Sequence, residues 1–457
     1  MDDKMGDERT PLRHGRTRGL RQNASSLAGL VLIFITAVYY GLHFYGIPGH
    51  NVRSQAQTIL DENPLIDGHN DLLILLRVAY HNKINADNFT KAFEQGGLAG
   101  HLDVPRLKQG QQGGAFWSAF VPCPAHGFDF SDRNYAGSVK ATLEQIDLFQ
   151  RLSVRYPEYF TLSRSAEEAE HAFAKGNLIS PLAIEGLHQI GNSLSTLRLY
   201  HSLGVRYATL TWNCHNKYAD AAVVTLENGK SVASEPFHGG VSKAGRQLVL
   251  EMNRLGMLVD LSHVSVDTMR DVLGGGNKSS SSSSDPKKET WKGSISPPIF
   301  SHSSAKALCP HPRNVPDDIL QLVKARNGLV MVNFSPDFIS CVDVGDPSGL
   351  PQYVDANNTL AQVVRHITYI GELIGYSHVG IGTDYDGIET TPRGLEDVSK
   401  FPQLVEALLE AGVSAGDVAK VVGRNLLRVW HEVDKVAAEL QRRMAPVEED
   451  LGFDWDL

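Results

Sequence analysis

"PLIDGHNDLL" (residues 64–73) runs through the apolar pair Leu65 and Ile66 and at once presents Asp67, His69 and Asp71. Two readings compete. In an extended chain residues i and i+2 point to the same side, so His69 and Asp71 can reach one point in space. Alternatively Asn70 and Asp71, both good N-cap types, simply start the next helix. The stretch alone does not choose between them. The rest of the chain does, because the same pattern of an apolar run followed by an ionisable group keeps returning.

Eight short apolar runs follow one another: 65–67, 115–121, 181–184, 206–210, 256–261, 298–301, 328–334 and 378–383. Amphipathic stretches lie between them. In "KAGRQLVLEMNRLG" (243–256) Leu248, Met252 and Leu255 recur at helical spacing, and "NTLAQVVRHITYIGELIG" (358–375) is a second case. Strands alternating with helices argue for a parallel sheet. Eight such units in about 380 residues predict an α/β fold, a (β/α)8 TIM-like barrel with insertions. An open doubly wound sheet is the alternative, but no Gly-rich phosphate or dinucleotide loop supports it.

Ionisable residues sit just past these runs. His69 and Asp71 follow the first, Glu185 the third, His263 the fifth, His302 the sixth and Asp384 the eighth. In a barrel the C-terminal strand ends form one rim, so these residues converge although more than 300 positions separate the first from the last. A lone histidine after a strand is more often packed or capping; five or six at equivalent places point to a metal site. Three imidazoles and three carboxylates suit zinc, or manganese or cobalt. That is more than one tetrahedral ion needs, so two ions bridged by a carboxylate, ~3.5–4 Å apart and holding a hydroxide, use the set better.

Composition agrees with a folded chain: of 457 residues, 42% are hydrophobic and 21% charged, and the net charge of −9 argues against nucleic acid as a partner. The N-terminus is a separate object. A run from Leu27 to Tyr45 is almost wholly apolar and would span roughly 28 Å as a helix. Five arginines precede it, Arg9 to Arg21, and only Arg53 stands near its other end. The expected organisation is a cytoplasmic basic tail (1–26), a transmembrane signal anchor (27–47), an extracellular or lumenal barrel domain (57–440) and a loose acidic tail (441–457). This reading gives a single-pass type II topology, with the membrane engaged through the N-terminal helix; a cleaved signal peptide is the competing reading, but the run is long for one and no small-x-small cleavage site follows it closely. The segment 274–290, "GGGNKSSSSSSDPKKET", has nothing to bury and is expected to be a flexible surface insertion. Sequons at Asn88, Asn277 and Asn357 fit glycosylation in that compartment; a fourth at Asn333 lies in an apolar run and is discounted.

The motifs "DGHNDL", "GGAFWSAFVPC", "AIEG", "VDLSHVS", "FSHSSA", "RNVPDD", "GTDYDG" and "GLEDVSKFPQL" resemble those of the membrane (renal-type) dipeptidases, zinc enzymes of the amidohydrolase superfamily. The resemblance covers residues 57 to 435. It implies a metallo-dipeptidase with two zinc ions per chain, one held by His69, Asp71 and Glu185, the other by Glu185, His263 and His302, with Glu185 as the bridge. It implies further that Asp384 handles the proton and that Arg313 grips the carboxylate of a small dipeptide substrate, a task suited to a guanidinium fork. The competing reading of Arg313 is an ion pair with Asp317 or Asp318. Relatives often form homodimers, which here would be non-covalent. In a fungal setting one class of relatives trims cysteinyl-glycine conjugates. Another amidohydrolase (a lactonase or an N-acyl amino acid hydrolase) and a non-catalytic receptor are the alternatives. The pattern departs from the family after the fourth run, where Trp212 stands at a position often held by a carbonyl-polarising histidine; His215, three residues on, is the candidate replacement or else a surface residue.

Four cysteines, Cys123, Cys214, Cys309 and Cys341, allow three pairings. Cys309 and Cys341 follow the neighbouring sixth and seventh runs. This favours Cys309 with Cys341 and leaves Cys123 with Cys214, the pairing the resemblance also implies.

Overall fold

All eight apolar runs are strands in the computed structural model, which describes residues 48–276 and 291–450. They are β1 (Leu65–Asn70), β2 (Gln112–Ser118), β3 (Leu182–Glu185), β4 (Val205–Thr209), β5 (Leu258–Asp260), β6 (Ile299–Phe300), β7 (Leu329–Val332) and β8 (Val379–Ile381). Each pairs in parallel with its neighbours in the chain, and Asp67 of β1 opposite Ile381 of β8 closes the barrel. The open-sheet alternative is thereby excluded.

Period-two alternation builds two cores. Ile66, Phe116, Ala183, Tyr207, Leu258, Ile299, Leu329 and Met331 form one cluster with Trp430 and its neighbours. Their chain neighbours Leu65, Trp117, Ile184, Ala208, Val259, Phe300 and Val330 belong to the other, shared with the surrounding helices. Trp430, on the helix Asn425–Arg443, packs on Phe116 with ring centroids 5.3 Å apart. The barrel interior is tight. A Cβ on Gly68 would come within 2.6 Å of the Ser301 carbonyl oxygen, and one on Gly382 closer still.

The helices obey their local signals. Lys243–Leu255 starts at Ser242, whose hydroxyl accepts the Gly245 amide, buries Leu248 and Met252, and stops at Gly256 in a left-handed conformation. The second expected helix runs from Leu360 to Ile374. Both disulfides pair as expected, Cys123–Cys214 and Cys309–Cys341, with Cα separations of 6.2 and 4.9 Å.

One expectation fails. The acidic segment after residue 440 is not loose as far as residue 450. The last helix continues to Arg443, and beyond it the Val447 amide donates to Glu251 Oε2 (3.1 Å) and the Leu194 amide to Glu449 Oε2 (2.7 Å). Glu449 finds an amide donor and Val447 a carboxylate acceptor on the helices around the barrel, a tertiary match that local composition does not reveal.

Contacts divide the chain into Met1–Ser54 and Gln55–Leu457, and the barrel belongs to the second unit. The tail 1–26, the expected anchor 27–47, Asn277 with most of the low-complexity insertion, and residues 451–457 lie outside the described residues. Among the described residues no helix is long and apolar enough to cross a membrane. Asn88 and Asn357 are exposed, whereas Asn333 is fully buried.

Candidate active site

The first strand divides its labour. Asn70 accepts the Leu72 amide at 2.9 Å and starts the helix Leu72–Tyr80, while Asp71 makes no capping bond. Both readings of the opening stretch therefore hold, on different residues. His69 Nε2 lies 3.1 Å from Asp71 Oδ2 and 3.6 Å from Glu185 Oε2. The other oxygen of Glu185 lies 2.7 Å from His263 Nε2 and 3.4 Å from His302 Nε2. Glu185 is thus shared between two three-residue groups, His69–Asp71–Glu185 and Glu185–His263–His302, each with ligand atoms within 4.8 Å of one another. A further group, Cys123, His188 and Cys214, has both thiols spent in a disulfide.

This donor set fits a pair of divalent cations. Every imidazole turns Nε2 toward Glu185 and anchors Nδ1 elsewhere: His69 on the Tyr207 hydroxyl (2.6 Å), His263 on Asn213 Oδ1 (3.1 Å), His302 on the Ser301 hydroxyl (2.8 Å). Such anchoring is typical of metal-binding histidines. Nε2 of His263 and of His302 stand 3.0 Å apart, where two lone pairs call for a cation between them. Burial pushes Glu185 up to about 7 and both His263 and His302 well below the usual imidazole range, with Arg313 depressing the two histidines further. Burial alone would lower His69, but Asp71, Glu185 and the Tyr207 oxygen reverse its direction. Buried charges of this kind need a counter-ion or lose their charge.

Asp384 follows β8 with a φ of +66°, and His263 has a φ of +67°. Both lie in the left-handed region that non-glycine residues seldom occupy, a kind of strain that gathers at functional sites. Asn333 donates to Asp384 Oδ2 at 3.1 Å, and burial raises the Asp384 carboxyl to about 6. Asp71, Glu185, His263 and Asp384 all line one cleft of about 590 Å³, with Phe120 and Trp212 on its wall. A larger and more open depression of about 790 Å³ lies between Arg77 and Arg151 and holds none of these groups.

Arg313 is 2% exposed, and its three guanidinium nitrogens have no hydrogen-bond partner among the described residues; its terminal carbon lies 5.0 Å from the Phe338 ring centroid. The ion-pair reading fails, because Asp318 pairs with Arg270 (2.5 Å) and Asp317 accepts from the Tyr369 hydroxyl. His215 is engaged elsewhere through its Nδ1. That residue is buried, not superficial; its Nδ1 lies 3.3 Å from Asp220 Oδ1 and accepts the Ala221 amide, and it does not line the cleft. The neighbouring Asp220 accepts the amides of His238, Gly239 and Gly240.

Sequence reasoning passed over Tyr207, Asn213, Ser301 and Asn333, which orient the site. Asn333 carried a signal: a polar amide closing the apolar run "GLVMVNF" has to find a buried partner.

A family model for membrane dipeptidases (peptidase family M19) matches residues 53–444. The chain is 42% identical over 465 residues to dipeptidase aclJ of Aspergillus oryzae, covering 98% of each. It is also 42% identical over 402 residues to the uncharacterized dipeptidase C3A11.10c of Schizosaccharomyces pombe, covering 87% of each. Among solved structures, a metallo peptidase of Rhodobacter sphaeroides bound to a phosphinate mimic of the dipeptide L-Ala-D-Ala superimposes with a TM-score of 0.63 at 25% identity, over 81% of this chain and 99% of that one. The probable dipeptidase PvdM of Pseudomonas aeruginosa shares the fold, with a TM-score of 0.68 at 22% identity over 85% of this chain and all of its own. With its two carboxylate-bridged ligand groups and a match across nearly all of the barrel, the chain belongs to the membrane dipeptidase family, peptidase family M19, and is a metallo-dipeptidase.

Proposed function

We propose that the protein hydrolyses the amide bond of dipeptides with a free C-terminal carboxylate, using two zinc ions held by His69, Asp71 and Glu185 and by Glu185, His263 and His302. The observation that carries the substrate class is Arg313, a buried cation whose nitrogens have no partner among the described residues. A carboxylate ligand supplies the missing acceptors and the missing charge. Zinc, when bound, supplies a Lewis acid for the scissile carbonyl and brings the pKa of water toward neutrality. The chain's own residues do the rest. Arg313 fixes the carboxylate and so the register of the peptide. Asp384, oriented by Asn333, carries the proton from the attacking water to the departing amine. Phe120 and Trp212 wall the cleft against bulk water. Trp212, and not an imidazole, stands at that wall, so no histidine donor of this chain faces the scissile carbonyl there and its polarisation would be the bound cations' part.

The reading extends to location: a type II anchor at 27–47 with the barrel extracellular or lumenal, supported by two disulfides and by exposed sequons at Asn88 and Asn357. The test is a panel offered to the zinc-loaded protein: dipeptides including a cysteinyl-glycine conjugate, the same dipeptides as C-terminal amides, lactones, and N-acyl amino acids. Hydrolysis of the free dipeptides alone is expected. Preferred turnover of lactones or acyl amino acids would make this a different amidohydrolase, and turnover of none would leave a receptor.

A further inference from the structure

Asp260 is wholly buried at the end of β5, touches no ligand atom, and has a role in neither the ligand set nor the chemistry described so far. Its Oδ1 accepts the amides of Ser262 (3.2 Å) and Ser301 (2.7 Å), the residues immediately before His263 and His302. Its Oδ2 accepts the hydroxyls of Thr209 (2.5 Å) and Ser301 (2.6 Å). Ser301 Oγ in turn lies 2.8 Å from His302 Nδ1. One carboxylate therefore ties the ends of β4, β5 and β6 and reaches a ligand imidazole through one hydroxyl.

We propose that Asp260 is a positioning residue that fixes the tautomer of His302, and with it the metal affinity of the Glu185–His263–His302 group, by way of Ser301. The argument is a count of protons. A carboxylate only accepts, and a serine hydroxyl has one proton to give. Committed to Asp260, Ser301 can meet His302 only as an acceptor, so Nδ1 of His302 carries the proton. Nε2 is then left with its lone pair, 3.4 Å from Glu185 Oε1 and 3.0 Å from His263 Nε2. Asp67, the matching buried carboxylate of β1, takes the Thr383 hydroxyl and the amides of Thr383 and His69 but no imidazole. The relay therefore belongs to one half of the site. The inference rests on the reading of these ligands as a metal site.

The experiment titrates zinc into apo wild type, Ser301→Ala and Asp260→Asn against a chromophoric chelator, with the visible absorption of the cobalt-loaded proteins as a second readout. In Ser301→Ala one of the two ions is expected to bind roughly 10–100-fold more weakly, the usual effect of removing such a support, while the other changes less than about threefold. The cobalt spectrum changes in step, and the apo melting temperature stays within a few degrees. Asp260→Asn is expected to weaken the same ion at least as much, since an amide donating to Ser301 turns its hydroxyl toward Nδ1 and drives the proton to Nε2. Ser301→Ala holding both ions as tightly as wild type, with an unchanged spectrum, overturns the proposal and leaves Asp260 as a strand tie alone. That result is distinct from a wild-type protein that binds no metal, which sinks the dimetal reading itself, and from one that binds two ions but cleaves no dipeptide, which sinks only the substrate class.

Discussion

Replacing Arg313 with methionine should make the protein more stable and far less active. The guanidinium is 2% exposed, unpartnered, and pushed down by burial to about 10, so its charge stands in an environment that disfavours it. At ~1.4 kcal/mol per pKa unit, holding that charge costs the fold about 3 kcal/mol. Methionine keeps the apolar stem and loses the cation–π contact with Phe338, worth about 1–2 kcal/mol when desolvated. The net expectation is a gain of about 1–2 kcal/mol for the free protein. With substrate the sign reverses, because truncating one partner of a buried hydrogen-bonded charge pair costs ~2–5 kcal/mol. At ~1.4 kcal/mol per decade, kcat/KM should fall by a factor of roughly 30 to 4,000. The assay compares a dipeptide with its C-terminal amide. Wild type should prefer the acid by about that factor, and the variant should hardly distinguish them. A variant that melts lower than wild type and still prefers the acid would refute the assignment.

Asp384→Asn is expected to keep its metal content but lose roughly 10²–10⁴ in turnover, the usual range for one acid–base group, as read by metal analysis alongside kcat. His215→Ala should act on stability, lowering the unfolding free energy from urea titration by about 1–3 kcal/mol through the loss of the acceptor for the buried Ala221 amide, while kcat falls less than about threefold; a hundredfold loss of kcat would place it in the chemistry. Burial holds His366 down to about 4, its Nδ1 accepting the Ala305 amide and its Nε2 donating to the Ile339 carbonyl. The folded state therefore binds its proton less readily than the unfolded chain does. Its contribution is complete above pH ~6.5 and is lost as pH falls toward ~4, about 3 kcal/mol in all; urea unfolding of His366→Gln should show a correspondingly flatter pH dependence. Reducing Cys309–Cys341 frees the segment that leads to Arg313, whose neighbour Asn314 donates to the Cys309 carbonyl at 2.9 Å. KM should rise before metal is released, measured on the same reduced sample.

What the sequence determined on its own was everything written in local period and residue type. Eight apolar runs with amphipathic stretches between them are strands because burial on both faces demands continuous apolar residues, and helices such as the one capped at Ser242 and Gly256 lie between them. The candidate ligands stood out because few side chains bind divalent cations and each stood in the same place relative to its strand, and the fold brings them together. The pairing of the cysteines followed from barrel order. Only the tertiary structure decided which polar group meets which. Arg313 has Asp317 and Asp318 close by in sequence, yet they bond to Tyr369 and Arg270. His215, three residues from Trp212, turns to Asp220 because that carboxylate is already gathered by a loop 18 to 20 positions further on. The hydrogen bonds of Asn213 and Asn333 reach His263 and Asp384, 50 and 51 positions away, and those of Asp260 lead through Ser301 to His302, 42 positions away. Even Val447, in the acidic segment after the last helix, is held by a glutamate 196 residues earlier. Hydrogen bonds are directional and short-ranged, so their partners are fixed by where strand ends and loops meet in space, and no spacing along the chain records that.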